Sequence, residues 1–228
     1  MEEHLPPDLL AVVYQATASS VVDMLAQART PERAAEIARD AARLLDRVLR
    51  PLDQAHPTAC RAGCSWCCHV RVACTPPEAI AVAAFVQSGL EKRVRRPLLA
   101  SLRASCDQTR GLDSKAWAGQ RLPCPFLRDG LCLVHSVRPL ACRGWHSFDV
   151  RQCIRHYEDP ASTIEASGER LTVRGIASRA LGDGLRRAEL NAESVDLASA
   201  VRLILDKPDA LAAWLRGEDA FAAARWPG

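Results

Sequence analysis

Eight of the ten cysteines in this 228-residue chain fall in two short stretches. The first reads Cys60-Arg-Ala-Gly-Cys64-Ser-Trp-Cys67-Cys68, and the second runs from Cys124 through Cys132 and Cys142 to Cys153. Thiolates are soft ligands suited to Zn, Cu(I) and iron–sulfur clusters, and the scarcity of accompanying carboxylates argues against Mg or Ca. A bound ion needs several such sulfurs within about 2.3 Å of one point. Spacings of two to four residues let one turn of chain deliver two or three of them. Gly63 and Gly130 permit tight paths beside Cys64 and Cys132, while Pro123 and Pro125 stiffen the chain around Cys124. Cys74 and Cys106 stand apart and read as small buried hydrophobes. Cys67 and Cys68 are neighbours, and in extended chain their side chains point to opposite sides. Either one of them is a bystander or the two face separate centres.

The rest of the chain must hold these stretches in place. Helical spacing of Leu9, Val12, Val13, Ala16, Val21, Met24, Leu25 and Ala28 predicts a helix over 8–29. Thr30 then caps a second helix with Pro31 in its first turn and Ile37, Ala41, Leu44, Leu45 and Val48 on one side; Pro51 is expected to end it. The two read as a helical hairpin that supplies core. Thr75 and Glu78 have the spacing of a capping box for a helix that ends near Gly89. A basic helix follows over 91–109, with Pro97 placed to kink or split it. Residues 53–72 and 111–160 show no clean period. Helices resume over 162–181, 185–190, 194–206 and 209–216. One short strand is predicted over 131–134, and nothing else alternates with period two. The expected fold class is therefore mainly α, a helical frame carrying two irregular cysteine-rich metal-binding loops. Residues 1–228 read as a single domain with an N-terminal hairpin over 1–52, a cysteine core over 56–153 and a C-terminal helical region over 160–228.

Composition bounds the alternatives. Hydrophobic residues make up 48% and charged residues 25%, which excludes long disorder and fibrous repeats. No uninterrupted apolar run approaches the ~20 residues of a membrane-spanning helix. The acidic opening Met1-Glu2-Glu3-His4 precedes no signal-type apolar core. A cytoplasmic location without a membrane partner is the expectation. In such a reducing compartment, clustered cysteines favour metal or redox chemistry over disulfides. The net charge of +3 is too small to argue for nucleic acid, and the run Lys92-Arg93-Val94-Arg95-Arg96 reads as a solvated helix face. No feature of the sequence names a protein partner.

The signature Cys60-x3-Cys64-x2-Cys67-Cys68, followed by Cys124-Pro-Phe-Leu, Gly130-x-Cys132, Arg138-Pro139 and Cys142-Arg-x-Trp145, resembles the bacterial YkgJ-type cysteine-cluster family. The resemblance covers about residues 56–153 and implies chelation of zinc or iron. Carried over residue by residue, it implies Cys60, Cys64, Cys67, Cys68, Cys124, Cys132 and Cys142 as metal ligands, with Cys153 as the eighth. His135, three residues after Cys132, is a candidate nitrogen ligand, but the resemblance favours packing beside the metal for it, and places Arg138, Arg143 and Trp145 around the ligands, the arginines offsetting thiolate charge. His69, His146 and His156 lie near the cysteines at spacings that do not compel ligation. The cofactor expected is an iron–sulfur cluster, 4Fe–4S favoured slightly, or zinc. One branch of the family resembles flagellin lysine N-methylases. The alternative is a radical-SAM-like iron–sulfur enzyme, for example a methyltransferase, because Cys60-x3-Cys64-Ser-Trp66-Cys67 also fits that pattern. The missing strand–helix alternation and the extra thiols count against it.

Overall fold

The computed structural model describes residues 6–225. In chain order its elements are α1 (Pro7–Gln27), α2 (Pro31–Ala55), a 3-10 turn (Trp66–His69), β1 (Ala73–Cys74), α3 (Pro76–Ser88), α4 (Lys92–Gln108) and α5 (Ser114–Gln120). They continue with β2 (Leu127–Arg128), β3 (Leu131–Cys132), a 3-10 turn (His135–Val137), α6 (Leu140–Gly144), α7 (Val150–Glu158) and α8 (Gly168–Arg187). The last are β4 (Val195–Asp196), α9 (Leu197–Asp206), α10 (Asp209–Leu215) and a 3-10 turn (Ala222–Ala224). The architecture is mainly α, as composition and periodicity predict. Among the described residues the strands form only two antiparallel pairs, β1 with β4 and β2 with β3.

The frame grows from apolar helix faces. Along α1, Val13, Ala18, Val21 and Leu25 are buried, and the helix lies chiefly against α8; α2 buries Ile37, Ala41, Leu45 and Leu49 and lies chiefly against α3. The expected α1–α2 hairpin is thus two helices that each find a larger partner elsewhere. The α9 helix closes the core against α3 and α4. Fully buried Trp214 on α10 donates its indole N–H to the Asn191 carbonyl at 2.8 Å. Between α1 and α8 the approach requires a glycine. A Cβ on Gly184 would sit 2.7 Å from Val21 Cβ and 2.9 Å from the Ala18 carbonyl oxygen, one of them backbone that cannot yield. Gly184→Ala should therefore destabilise the fold by roughly 1–3 kcal/mol in urea denaturation. At Gly175, in the same helix but with open space around it, the same change should stabilise by roughly 0.5–1 kcal/mol.

Several elements differ from the sequence expectation. Pro51 lies inside α2 rather than ending it. Its missing N–H frees one carbonyl, but the position is exposed, so water can satisfy that group, and His56 N–H to Leu52 O closes the final turn. Pro97 likewise lies within an unbroken α4. The separate helix expected over 185–190 is the end of α8, whose start is capped by the Ser167 hydroxyl accepting from Arg170 N–H. The irregular stretch over 111–160 contains three short helices, and they place Cys142 on α6 and Cys153 on α7. Helices this short carry too few turns to declare a period.

A further correction concerns α1. Residues Asp8–Gln27 are long and apolar enough, by length and composition, to pass as a membrane span, with a mean hydropathy of 1.5 over the best window. Small and hydroxyl-bearing residues between Asp8 and Asp23 interrupt the apolar run without adding charge. The described helix places one face of this segment in the protein core.

Candidate metal centre

Both cysteine stretches are shaped by local backbone chemistry. Cys64 N–H donates to the Arg61 carbonyl (3.0 Å) and Cys68 N–H to the Ser65 carbonyl (2.9 Å), so the first stretch folds as consecutive tight turns with Gly63 at φ +86°. Cys67 and Cys68 occupy a 3-10 turn, not extended chain. Cys68 itself departs from helical values (φ −85°, ψ 22°), and its thiol lies near enough to Cys67 to raise it. The chain here is therefore not the extended backbone that would point the two side chains to opposite sides.

In the second stretch, Asp129 and Gly130 both take positive φ, 51° and 75°, forming the two-residue turn that suits a tight hairpin. The hairpin pairs Leu127 with Cys132, and Leu133 N–H donates to the Phe126 carbonyl at 2.9 Å. Cys124 and Cys132 are thereby both set at the open end of one small ribbon, away from its Asp129-Gly130 tip. Their sulfurs accept backbone N–H groups two residues on, from Phe126 and Val134 respectively. Such bonds favour the thiolate form.

Backbone bonds lace the two stretches together. Cys124 N–H donates to the Cys68 carbonyl at 2.7 Å, and Ala59 N–H donates to the Ser147 carbonyl at 2.9 Å. The hairpin tip at Gly130 lies against the Gly63 backbone. Electrostatic influence follows the same map. Cys60 and Cys153 feel Cys64 and Cys67; Cys124 feels Cys132 and Cys142; Cys142 and Cys132 both feel Cys67. Cys67 is the thiol whose charge is felt from both stretches.

Burial dominates the thiol energetics. It pushes Cys124 and Cys142 up to about 12, with the neighbouring thiols adding to the shift. Cys67 is raised first by its bond to Cys68 and then by burial. Cys60, Cys132 and Cys153 are raised by burial as well. Thiols crowded in this way favour ionisation only when a cation offsets their charge. Among the described residues, no three His, Cys, Asp or Glu side chains already close on one point as a donor set. The donor chemistry nevertheless fits a soft cation, and one buried nitrogen adds to it. His69, in the same turn as Cys67 and Cys68, has a buried Nδ1 without a hydrogen-bond partner among the described residues, while its ring packs edge-on to Tyr157 at 4.8 Å.

The other residues around the cysteines have structural partners. His146 is 3% exposed, and its Nε2 accepts from Ser167 N–H at 2.8 Å while Nδ1 lies 2.9 Å from the Gly144 carbonyl. His156 Nδ1 lies 2.7 Å from the Ser162 carbonyl. His135 is in contact with Arg138. Arg143 does not face the thiols as the resemblance implies. It binds Asp46 of α2 (2.6 Å) and the carbonyls of Ser136 (2.6 Å) and Arg138 (3.0 Å), and so fastens the second stretch to the frame. Arg138 is the nearby cation, lowering Cys67, Cys132 and Cys142. Trp145 is 40% exposed. Cys74 and Cys106 are buried in the hydrophobic core.

Glu78 has a reach the sequence does not announce. Its buried carboxylate accepts from Thr75 N–H (2.7 Å) and the Thr75 hydroxyl (2.8 Å), as a capping box would. It also accepts from Leu140 N–H (2.7 Å), the first residue of α6. One carboxylate therefore joins the start of α3 to the helix that carries Cys142. No local pattern around 140 signals an acceptor 62 positions away.

Fold and site together define a cysteine-cluster protein, with a helical frame presenting thiols from two laced stretches. Residues 59–158, somewhat under half of the chain, match the model of the CxxCxxCC family, described as "Putative zinc- or iron-chelating domain". The match agrees with the resemblance read from the cysteine blocks. No curated protein and no solved structure gives a significant match.

Proposed function

We propose that this chain chelates metal through Cys60, Cys64, Cys67, Cys68, Cys124, Cys132, Cys142 and Cys153, holding an iron–sulfur cluster or zinc, for a role in redox chemistry or metal handling in the cytoplasm. The observation that supports this reading is the lacing of the two stretches at Cys124 and Cys68, with the charge of Cys67 felt by thiols of both stretches. A bound metal would supply positive charge to offset the thiolates, and in the iron–sulfur case a one-electron carrier. The protein's own part is to hold the sulfurs, donate backbone N–H groups from Phe126 and Val134, and set Arg138 beside them. The tilt toward iron–sulfur rests on the absence of paired C-x2-C knuckles of the usual zinc type.

Alkylation separates ligands from core cysteines. In native, metal-loaded protein, iodoacetamide should leave all eight cluster thiols unmodified. A chelator should then expose Cys60 first, because it is the exposed member of the set. Cys74 and Cys106 should stay unmodified until the chain unfolds. Modification of Cys60 at the same rate before and after chelation would remove it from the ligand set.

A further inference from the structure

Away from the cysteines, α1 and α2 do not close fully on each other. A cavity of about 280 Å³ lies between them, walled by apolar side chains such as Ile37 and Leu44. Two hydroxyls of α1, Thr17 and Ser20, line it. Thr17 is only 4% exposed, and its hydroxyl has no hydrogen-bond partner among the described residues. A buried hydroxyl left unpaired is unfavourable, so its persistence here asks for a partner within the cavity. The Ser20 hydroxyl donates only to the Met24 sulfur (3.4 Å), a weak acceptor. At the rim, Arg43 and Arg47 stand one turn apart on α2. Asp40 is paired with Arg43, whereas Arg47 has no partner among the described residues, so the rim carries surplus positive charge.

We infer that this cavity is a binding site for a small amphipathic carboxylate, its anionic end held by Arg47 and the Thr17 hydroxyl and its short apolar portion against Ile37 and Leu44. The volume falls just below the roughly 300–1,000 Å³ usual for small-molecule pockets, which limits the occupant to a short chain. A cation is disfavoured by the rim, and a purely apolar ligand would leave Thr17 unpaired. The site shares no residue with the cysteine stretches and does not depend on the metal reading.

The test is calorimetric titration of the full chain with hexanoate, with hexylamine and hexanol as charge controls, alongside urea denaturation. Hexanoate should saturate at one per chain and the two controls should not. Thr17→Val keeps the shape but removes the hydroxyl. It should raise the urea midpoint while weakening hexanoate at least tenfold, the combination expected of a polar group retained for a ligand. Arg47→Gln should also weaken hexanoate at least tenfold, with the midpoint unchanged. Absence of saturable hexanoate binding, even with Thr17→Val raising the midpoint, would mean that water alone fills the cavity and would overturn the inference. Unchanged binding by Thr17→Val would overturn it too.

Discussion

Cys67→Ser should strip the chain of metal. Cys60, Cys132, Cys142 and Cys153 all feel the Cys67 thiol, so its charge is felt from both stretches. A serine hydroxyl does not ionise in this range and is a hard, weak ligand for a soft cation. Metal per chain, measured by elemental analysis of the purified protein, should fall at least tenfold. Stability should fall with it, because metal binding is coupled to folding and contributes roughly 10–16 kcal/mol in structural zinc peptides, an upper bound for a chain with its own core. Cys106→Ser is the control. Cys106 is buried in the core, with Ser199 and Arg202 beside its thiol, and its replacement should leave metal content unchanged. Full metal content in Cys67→Ser would remove Cys67 from the ligand set.

Glu78→Ala should be the most damaging substitution outside the cysteines. It would orphan the Thr75 and Leu140 N–H groups and the Thr75 hydroxyl at a site that is 5% exposed. Each buried donor left unpaired costs roughly 1–3 kcal/mol, so a loss of about 3–5 kcal/mol in urea denaturation is expected after some relaxation. Glu78→Gln keeps one carbonyl acceptor and should recover part of it. Burial also raises the Glu78 carboxyl above its ordinary value. Its proton therefore favours the folded chain below the unfolded-state pKa, and this contribution fades as pH rises through the folded-state value. Glu78→Ala should remove that slope from the stability profile. A loss under about 1 kcal/mol would mean that α6 is seated by other contacts.

These expectations depend on features that the sequence reveals unequally. The Thr75–Glu78 box was legible because both partners lie within four residues, and local bonds leave local patterns. The strand expected over 131–134 is present only as Leu131–Cys132, and its partner Leu127–Arg128 went unread although the Asp129-Gly130 turn between them is a hairpin signal. Thr30 with Pro31, and the alanine- and leucine-bearing faces of α1 and α2, declared their helices by the same local means. The bond from Leu140 to Glu78 and the arms of Arg143 were illegible because tertiary structure alone brings those groups together. Pro51 and Pro97 misled for a related reason, since a helix held by packing and open to water on one side absorbs a proline that would stop an isolated one. At the site, the cysteine types and spacings pointed to metal chelation, in agreement with the matched family model. They did not show that Cys142 and Cys153 ride on helices, that a 3-10 turn sets Cys67 against Cys68, or that His69 Nδ1 is buried without a partner among the described residues.

The most direct test of metal chelation is anaerobic purification of the full chain, followed by iron, acid-labile sulfide and zinc analysis with a visible spectrum. The account predicts stoichiometric metal. Iron with matching sulfide and broad visible absorption is the favoured form, and colourless protein with bound zinc is the other form it admits. A folded chain with neither iron nor zinc, and with its cluster thiols free to react, would contradict it.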